Sequence, residues 1–340
     1  MTRLLFSPLT CAIALLAVAC TPTSETTTDS TDSGGATSDG TGGASDTGSA
    51  TGGDEGVLVG TFQVKVIAPD AATSTPGRTS LVGKIYDGPS PEQIVWEKGT
   101  VDGDCVILTP RVPFCSTPCG GSAVCVEDET CQDYPTAGSA GTITVKGITL
   151  AAGGSEFSMD PIANNYQPPV DAALGYPAFA AGDAITLEAA GDKFAAFTLQ
   201  GTGVDQLELS ADNIPLAADT PVTLSWTAST KPDQSRILVK LDISHHGGTK
   251  GKIECDTADD GSLDLSGALV TELLDLGVAG FPTIIVERKT VGSTSIPEGR
   301  IDLAVSSSLE RVVTIDGLTS CTDDTQCPQG QTCQDDLSCK

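Results

Sequence analysis

Two histidines, two tryptophans and four tyrosines are all that a chain of 340 residues holds of these types, and the shortage closes several routes. A metal centre built on several histidines is excluded by count, and a Ser-His-acid triad would have to draw on the adjacent pair His245 and His246. No G-x-S-x-G turn is present to raise a nucleophilic serine. Bases are scarce as well: 18 Lys and Arg stand against 45 Asp and Glu, a formal charge of −27. Setting aside Arg3 and the seven acids of residues 21–56 leaves 38 acids against 17 bases, so the acidity belongs to the body of the chain. Such a surface repels phosphate backbones, and no nucleic-acid partner is expected. With so few large aromatics and 38 glycines, many short strands joined by turns are expected in place of a helical bundle.

Long apolar runs are also missing. The longest, Leu4 to Val18, is broken by Ser7, Pro8 and Thr10, too short and interrupted to cross about 30 Å of hydrocarbon. One positive charge, a short apolar stretch and small residues before a cut have the form of an export signal. Its end, Leu16-Ala17-Val18-Ala19-Cys20, resembles the lipobox of bacterial lipoproteins, with Ala17 where leucine is usual. The resemblance implies that residues 1–19 are removed and that Cys20 is acylated, anchoring the protein to a membrane through lipid. Thr21, in place of an aspartate that would favour inner-membrane retention, points to the outer membrane or cell surface. Residues 21–56 hold no large apolar residue, so together with Cys20 they are expected to form a lipidated, disordered Ser/Thr/Gly/Asp linker (20–56). Its mean reach is about 30 Å, from roughly 5 to 6 Å times the square root of its length.

Ten cysteines then remain: Cys105, Cys115, Cys119, Cys125, Cys131, Cys255, Cys321, Cys327, Cys333 and Cys339. An even number in an exported chain reads as disulfides. The spacing C-x5-C-x5-C followed by Gln-Asp occurs twice, at Cys119, Cys125, Cys131 and at Cys321, Cys327, Cys333, which suggests two copies of one stapled module. Five-residue gaps are too wide for the tight knuckles of structural zinc sites. Cys255, with no near neighbour, is expected to bond one of the five cysteines in 105–131 and tie two halves together; the pairing is otherwise open. The dense cluster of 115–131 is expected to be a stapled loop, not a ladder.

Alternation of apolar residues from Val57 onward gives an all-β fold: one or two β-sandwich domains of immunoglobulin-like architecture, with disulfide-stapled loops and one short helix. The expected division is a β-rich domain over 57–202, a sandwich over 203–317 and a cysteine-rich module over 318–340. Trp226 resembles the core tryptophan of immunoglobulin-like sandwiches, whose paired inter-sheet cysteines this region lacks. The helix is expected between a Ser266 cap and Gly277, with Leu269, Leu273 and Leu276 as its stripe. Residues 153–182 lose all periodicity. Phe157, Tyr166, Tyr176 and Phe179 lie there as candidate binding faces for a glycan or a protein ligand, with packing over a sandwich edge as the plainer reading.

Two further stretches invite chemistry. The strand followed by Ser244-His245-His246-Gly247 looks like a segment of some metallo-β-lactamase-fold proteins, but the other histidines of that fold do not exist here. Asp256, Asp259, Asp260 and Asp264 invite a calcium loop; read as an EF-hand, Ala258 and Gly267 occupy ligand positions. An acidic, solvated turn is the plainer account, and no catalytic residue, metal or cofactor is assigned.

Cys20, the acidic linker, the β body and the two cysteine modules together resemble the predicted surface lipoproteins of myxobacterial-type predatory bacteria. That family carries no established activity. The resemblance implies a lipid-anchored envelope protein displaying β domains, and the lack of a nucleophile motif favours binding or adhesion over an exported hydrolase using acidic residues or a purely structural envelope component.

Overall fold

A computed structural model of the protein describes residues 56–69 and 74–340. The signal sequence, Cys20 and nearly all of the linker lie outside the described residues. In chain order the strands are β1 (Leu58–Ile67), β2 (Arg78–Ile85), β3 (Val95–Asp102), β4 (Cys105–Arg111), β5 (Ala123–Glu127), β6 (Thr130–Asp133), β7 (Ile143–Lys146), β8 (Glu156–Met159) and β9 (Asn165–Tyr166). They continue with β10 (Ala184–Ala189), β11 (Phe197–Thr202), β12 (Asn213–Leu216), β13 (Val222–Ser225), β14 (Arg236–Asp242), β15 (Lys252–Ala258) and β16 (Ser262–Leu265); the helix α1 (Gly267–Asp275) precedes β17 (Thr283–Ile296) and β18 (Gly299–Ile315). Over the described residues the chain is mostly β, with one α-helix and five disulfides.

One ten-stranded sheet underlies everything, in the order β3-β4-β15-β14-β17-β18-β1-β2-β9, with β12 also pairing β18. The long hairpin of β17 and β18 is its axis. Along β17, Ile284 and Val286 turn into one core and Ile296 into another; along β18, Leu309 and Val313 serve the first of these and Ile301, Leu303 and Val305 the second. Between the two cores the same sheet face carries buried Arg288 and Ser307, which oppose each other in the register. A polar seam thus divides one continuous sheet into two hydrophobic halves.

Each half has its own cover. The four-stranded sheet β11-β10-β7-β8 places Ile143, Val145, Leu187 and Leu199 over Phe62, Val64 and Leu81. Where β11 crosses β17, Gly292 has no room for a side chain: a Cβ would stand 1.7 Å from the Gln200 carbonyl oxygen. The other half is covered by the β13-β16 pair and by α1, which buries Leu269, Val270 and Leu273 against Ile237, Val239 and Val286. Ser266 accepts from the Leu269 N–H as the cap, and Gly277, at φ 91°, follows the helix end. Trp226 belongs to this second core. The cover of the first core ends with β11 at Thr202 and that of the second begins with β13, while the sheet beneath is shared: β3 and β4 pair onto β15.

Three local features stand out. Residues 299–315 form one long strand, Leu309 carrying the inward alternation through its middle. The segment Asp205–Ala211 contributes only an isolated bridge, Leu209 to Trp226. The cysteine-rich segment does form a ladder, since β5 and β6 are a hairpin.

Candidate binding groove and the disulfide modules

The residues picked out as binding aromatics fall mostly inside. Phe157 on β8, Tyr166 on β9 and Phe179 are buried in the first core. The Tyr166 ring lies 5.7 Å from that of Phe62, while its hydroxyl accepts from the Ala140 N–H and donates to the Gly141 carbonyl. Three of the four therefore have no face to offer a ligand. Tyr176 alone is exposed, at 38%, and its ring covers Gly77, where a Cβ would meet it at 2.2 Å. The aromatics of this segment pack, and its prolines shape the surface beside β2.

That surface is a cleft of about 390 Å³ between Thr79–Val82 of β2 and the loop through Gln167–Pro169 and Ala172–Leu174. Tyr86 donates to Val59, so alternate residues of β2 bond β1, and the backbone groups of Thr79, Leu81, Gly83 and Ile85 point the other way. Gly83 is met by Tyr166 of β9, and the Ile85 carbonyl accepts from Gly138. Among the described residues, Thr79 and Leu81 have no strand opposite them. The register gives the cause. With Tyr166 opposite Gly83, the residue facing Leu81 would be Pro168, which has no N–H to give, and Pro169 follows. Strand β9 ends after two residues, and Leu81, 1% exposed, is covered without a strand ladder. Within the cleft the Thr79 hydroxyl is closed off from solvent without a partner.

The two cysteine modules share one connectivity. Residues 115–131 hold Cys115–Cys125 and Cys119–Cys131; residues 321–339 hold Cys321–Cys333 and Cys327–Cys339. In each, the first cysteine bonds the third and the second the fourth, and the third and fourth face each other across a turn. The fourth residue after the third cysteine, Glu129 or Leu337, has a positive φ of 62° or 57°. The matching segments are thus Cys125–Cys131 and Cys333–Cys339, both C-x-acid-Asp-x-Ser/Thr-C. The Thr-Cys-Gln-Asp echo visible in the sequence is one cysteine out of step, because it follows the turn in one copy and precedes it in the other. Sulfurs of Cys115, Cys119 and Cys131, and of Cys321, Cys327 and Cys339, lie within 4.8 Å of one another. All belong to S–S bonds, which leaves no thiolate to hold zinc.

The fifth bond, Cys105–Cys255, joins directly opposed residues of β4 and β15 and is buried. As expected, Cys255 bonds one of the cysteines of 105–131, but both partners belong to the second core, so the bond ties distant parts of the chain together within one half of the fold. The depression of about 540 Å³ on the C-terminal module is walled by Asp323, Asp324 and Asp335. Asp323 accepts from the N–H of Thr325 and Asp324 from that of Cys333, so these carboxylates brace the loop itself.

The other sequence candidates are occupied structurally. His245 and exposed His246, their rings 3.9 Å apart, form a turn packed on the C-terminal module, where Gly280 donates to Asp336 and Phe281 to His245. Of the acidic stretch, Asp256 pairs with Arg236 at 2.6 Å and Asp264 accepts from Thr223. Asp259 is buried and takes hydrogen bonds from Arg288, Trp226 and Ser235. These side chains are engaged with different strands and do not converge on a common point. Arg288 was missed by sequence reasoning, yet its phase in Ile284-x-Val286-x-Arg288 places it on the inward face and gave the signal.

No family model matches the chain, and no curated protein matches its sequence.

Proposed function

We propose that the protein is a lipid-anchored component of a bacterial envelope that displays its β body to bind an extracellular ligand without turning it over. The observation that carries the binding reading is the cleft walled by Pro168 and Pro169 beside β2, where strand pairing with β9 stops after two residues. Five disulfides suit an oxidising compartment. The residues Leu16 to Cys20 and the acidic linker support the anchor and the display.

Intact mass of the protein from its native membranes, partitioned into detergent and measured with and without reductant, tests the anchor. A diacyl- or triacylglyceryl mass on Cys20 and a gain of ten protons on reduction are expected. A lipid-free mass would make it a secreted factor. Turnover of any member of a polysaccharide and peptide panel would replace binding with hydrolysis.

A further inference from the structure

We infer that the uncovered face of the large sheet, where β17, β18, β1 and β2 lie side by side, binds an acidic polysaccharide that carries a carboxylate on alternate sugars. This deepens the binding reading above and rests on it. Both cores and the polar seam lie on the other face, the one that takes Val64 of β1, Val305 of β18 and Arg288 of β17. Lys65, Ser306 and Lys289 are one residue out of phase with these and point away from the cores. The register sets them in one row across the strands: Arg236 opposite Lys289, Lys289 opposite Ser306, Ser306 opposite Lys65 and Lys65 opposite Ser80. Solvent reaches this face around the row, since Arg236 at one end and Arg78, two residues from Ser80, are exposed. Val82 and Val291, in the next row, are 50% and 42% exposed. Ser80 and Val82 also line the proline-walled cleft, so the row runs into it.

Charge selects the ligand. Lys65, Arg78, Lys84 and Lys289 share this face, and among the described residues none of them meets a carboxylate; Lys84 lies over the Tyr86 ring, 5.3 Å from its centroid. Arg236 is held by Asp256. Of the acids on the four strands, Asp302 is held by Arg300 at 3.1 Å, Glu310 lies four residues along β18 from Ser306, and Glu287 alone flanks the row. In a chain of net charge −27 this patch attracts anions that the rest of the surface turns away.

Spacing and chemistry favour a polysaccharide. Lys65 and Lys289 stand two strand widths apart, about 9.6 Å, and Arg78 lies diagonally from Lys65 at about 8 Å. Carboxylates on alternate sugars recur at about the first of these distances, whereas alternate side chains of an extended acidic peptide recur at about 6.8 Å. The row also lacks the aromatic anchors on which protein interfaces are built. A neutral glycan would need a ring to stack on, and the four strands present none on this face. Ser306, between the two lysines, is 4% exposed, so contact falls to the ammonium groups beside it.

The test uses full-length protein in detergent and a fluorescently labelled hyaluronan oligosaccharide, whose uronate recurs on alternate sugars, followed by anisotropy at low salt. Binding is expected, weakening as salt rises and lost when the carboxylates of the probe are reduced to alcohols. Lys65→Gln with Lys289→Gln, which keeps part of each aliphatic stem, should weaken it roughly ten-fold, the loss of charge-assisted contacts made near the surface. Lys65→Arg with Lys289→Arg should restore it. Arg78→Gln, at an exposed position, should weaken it in the same direction and serves if the double variant fails to fold. Lys98→Gln with Lys231→Gln, an equal change of charge at exposed sites away from the row, should leave binding unchanged. No binding of the probe, equal binding of its carboxyl-reduced form, or an equal loss in the Lys98/Lys231 variant would overturn the site. So would polyglutamate binding more tightly than the oligosaccharide, which would make the partner a protein. Self-association that the Lys65/Lys289 variant abolishes would likewise overturn it by making the face a contact between copies. A ligand held equally by wild type and by that variant would end this inference while leaving the binding reading in place; the lipid mass on Cys20 tests the anchor separately.

Discussion

Arg288 and Asp259 face each other through two hydrogen bonds, 2.5 Å from Nε to Oδ2 and 2.8 Å from Nη2 to Oδ1, with side chains 1% and 0% exposed. The remaining donors of the guanidinium reach the carbonyls of Gln206 and Thr227, and the carboxylate also accepts from Ser235 and Trp226. Every strong partner is matched, so the pair ties the axis of the sheet to the segments that cross its polar seam.

Breaking this pair from one side is expected to be costly. Arg288→Met should destabilise the protein by about 3 to 5 kcal/mol, because it leaves Asp259 buried and uncompensated. Replacing both, as Arg288→Met with Asp259→Leu, should recover part of that loss. Urea unfolding of the oxidised proteins measures it; a single-mutant loss under about 1 kcal/mol would show that the seam is wetter than the structure indicates.

Acid should act through the same group. Burial raises the Asp259 pKa, but the hydrogen bonds of Arg288 and Ser235, the charge of Arg288 and the Trp226 N–H outweigh it and leave the carboxyl below its usual range. Asp205 is likewise raised by burial and lowered further by Thr230 and Ser229. A folded pKa below the unfolded value means that the stabilisation is complete above about pH 4 and is lost as pH falls through the folded value. Wild type should therefore lose stability steeply below about pH 4. Asp259→Asn should be weaker at neutral pH and flatter in acid, and parallel curves would refute the assignment.

The disulfides should differ in worth. Cys105–Cys255 closes a separation of 150 residues and the module bonds separations of 10 to 12. On loop entropy the first contributes about 5 kcal/mol and each of the others about 3. Removing Cys105 and Cys255 together should lower the global melting temperature. Removing Cys321 and Cys333 should chiefly raise hydrogen exchange in residues 320–340. Fragmentation at Glu127, Glu129 and the aspartates of the C-terminal module should return the first-to-third, second-to-fourth pairing in both modules.

Gly83 marks a tight approach between β2 and the Phe62 ring of β1. A Cβ there would stand 2.1 Å from the Phe62 ring, so Gly83→Ala should cost about 1 to 3 kcal/mol through overpacking. Thermal unfolding of Gly83→Ala beside Phe62→Leu/Gly83→Ala checks it: the smaller side chain should relieve part of the loss, and no relief would place the strain in the backbone.

Much of the local structure was legible because it depends on near neighbours. The alternation of β1, β14 and β17, the β10–β11 hairpin with Gly191 at φ 89° and the Ser266-capped helix all follow from residues within a turn or two of each other. The short strand β12 was not legible: it contains Pro215, which lacks an N–H, and it forms only by parallel pairing with β18. The packing of Phe157, Tyr166 and Phe179 was hidden for a related reason. Their segment is buried in part by residues far away in the chain, such as Phe62 of β1 against Tyr166, and the pattern within the segment does not report that contact.

From the amino-acid sequence alone came the strand-rich class, the helix, the acidic body and the even set of cysteines, since composition, alternation and capping act locally. Tertiary structure alone decided which strands lie side by side, that Cys255 meets Cys105, that Arg288 is buried, and that β9 stops after two residues. Those outcomes rest on contacts between residues far apart in the chain, 150 positions for Cys105 and Cys255 and 242 for Leu58 opposite Arg300, and each depends on the register of one strand against another, which the pattern along a single strand does not encode.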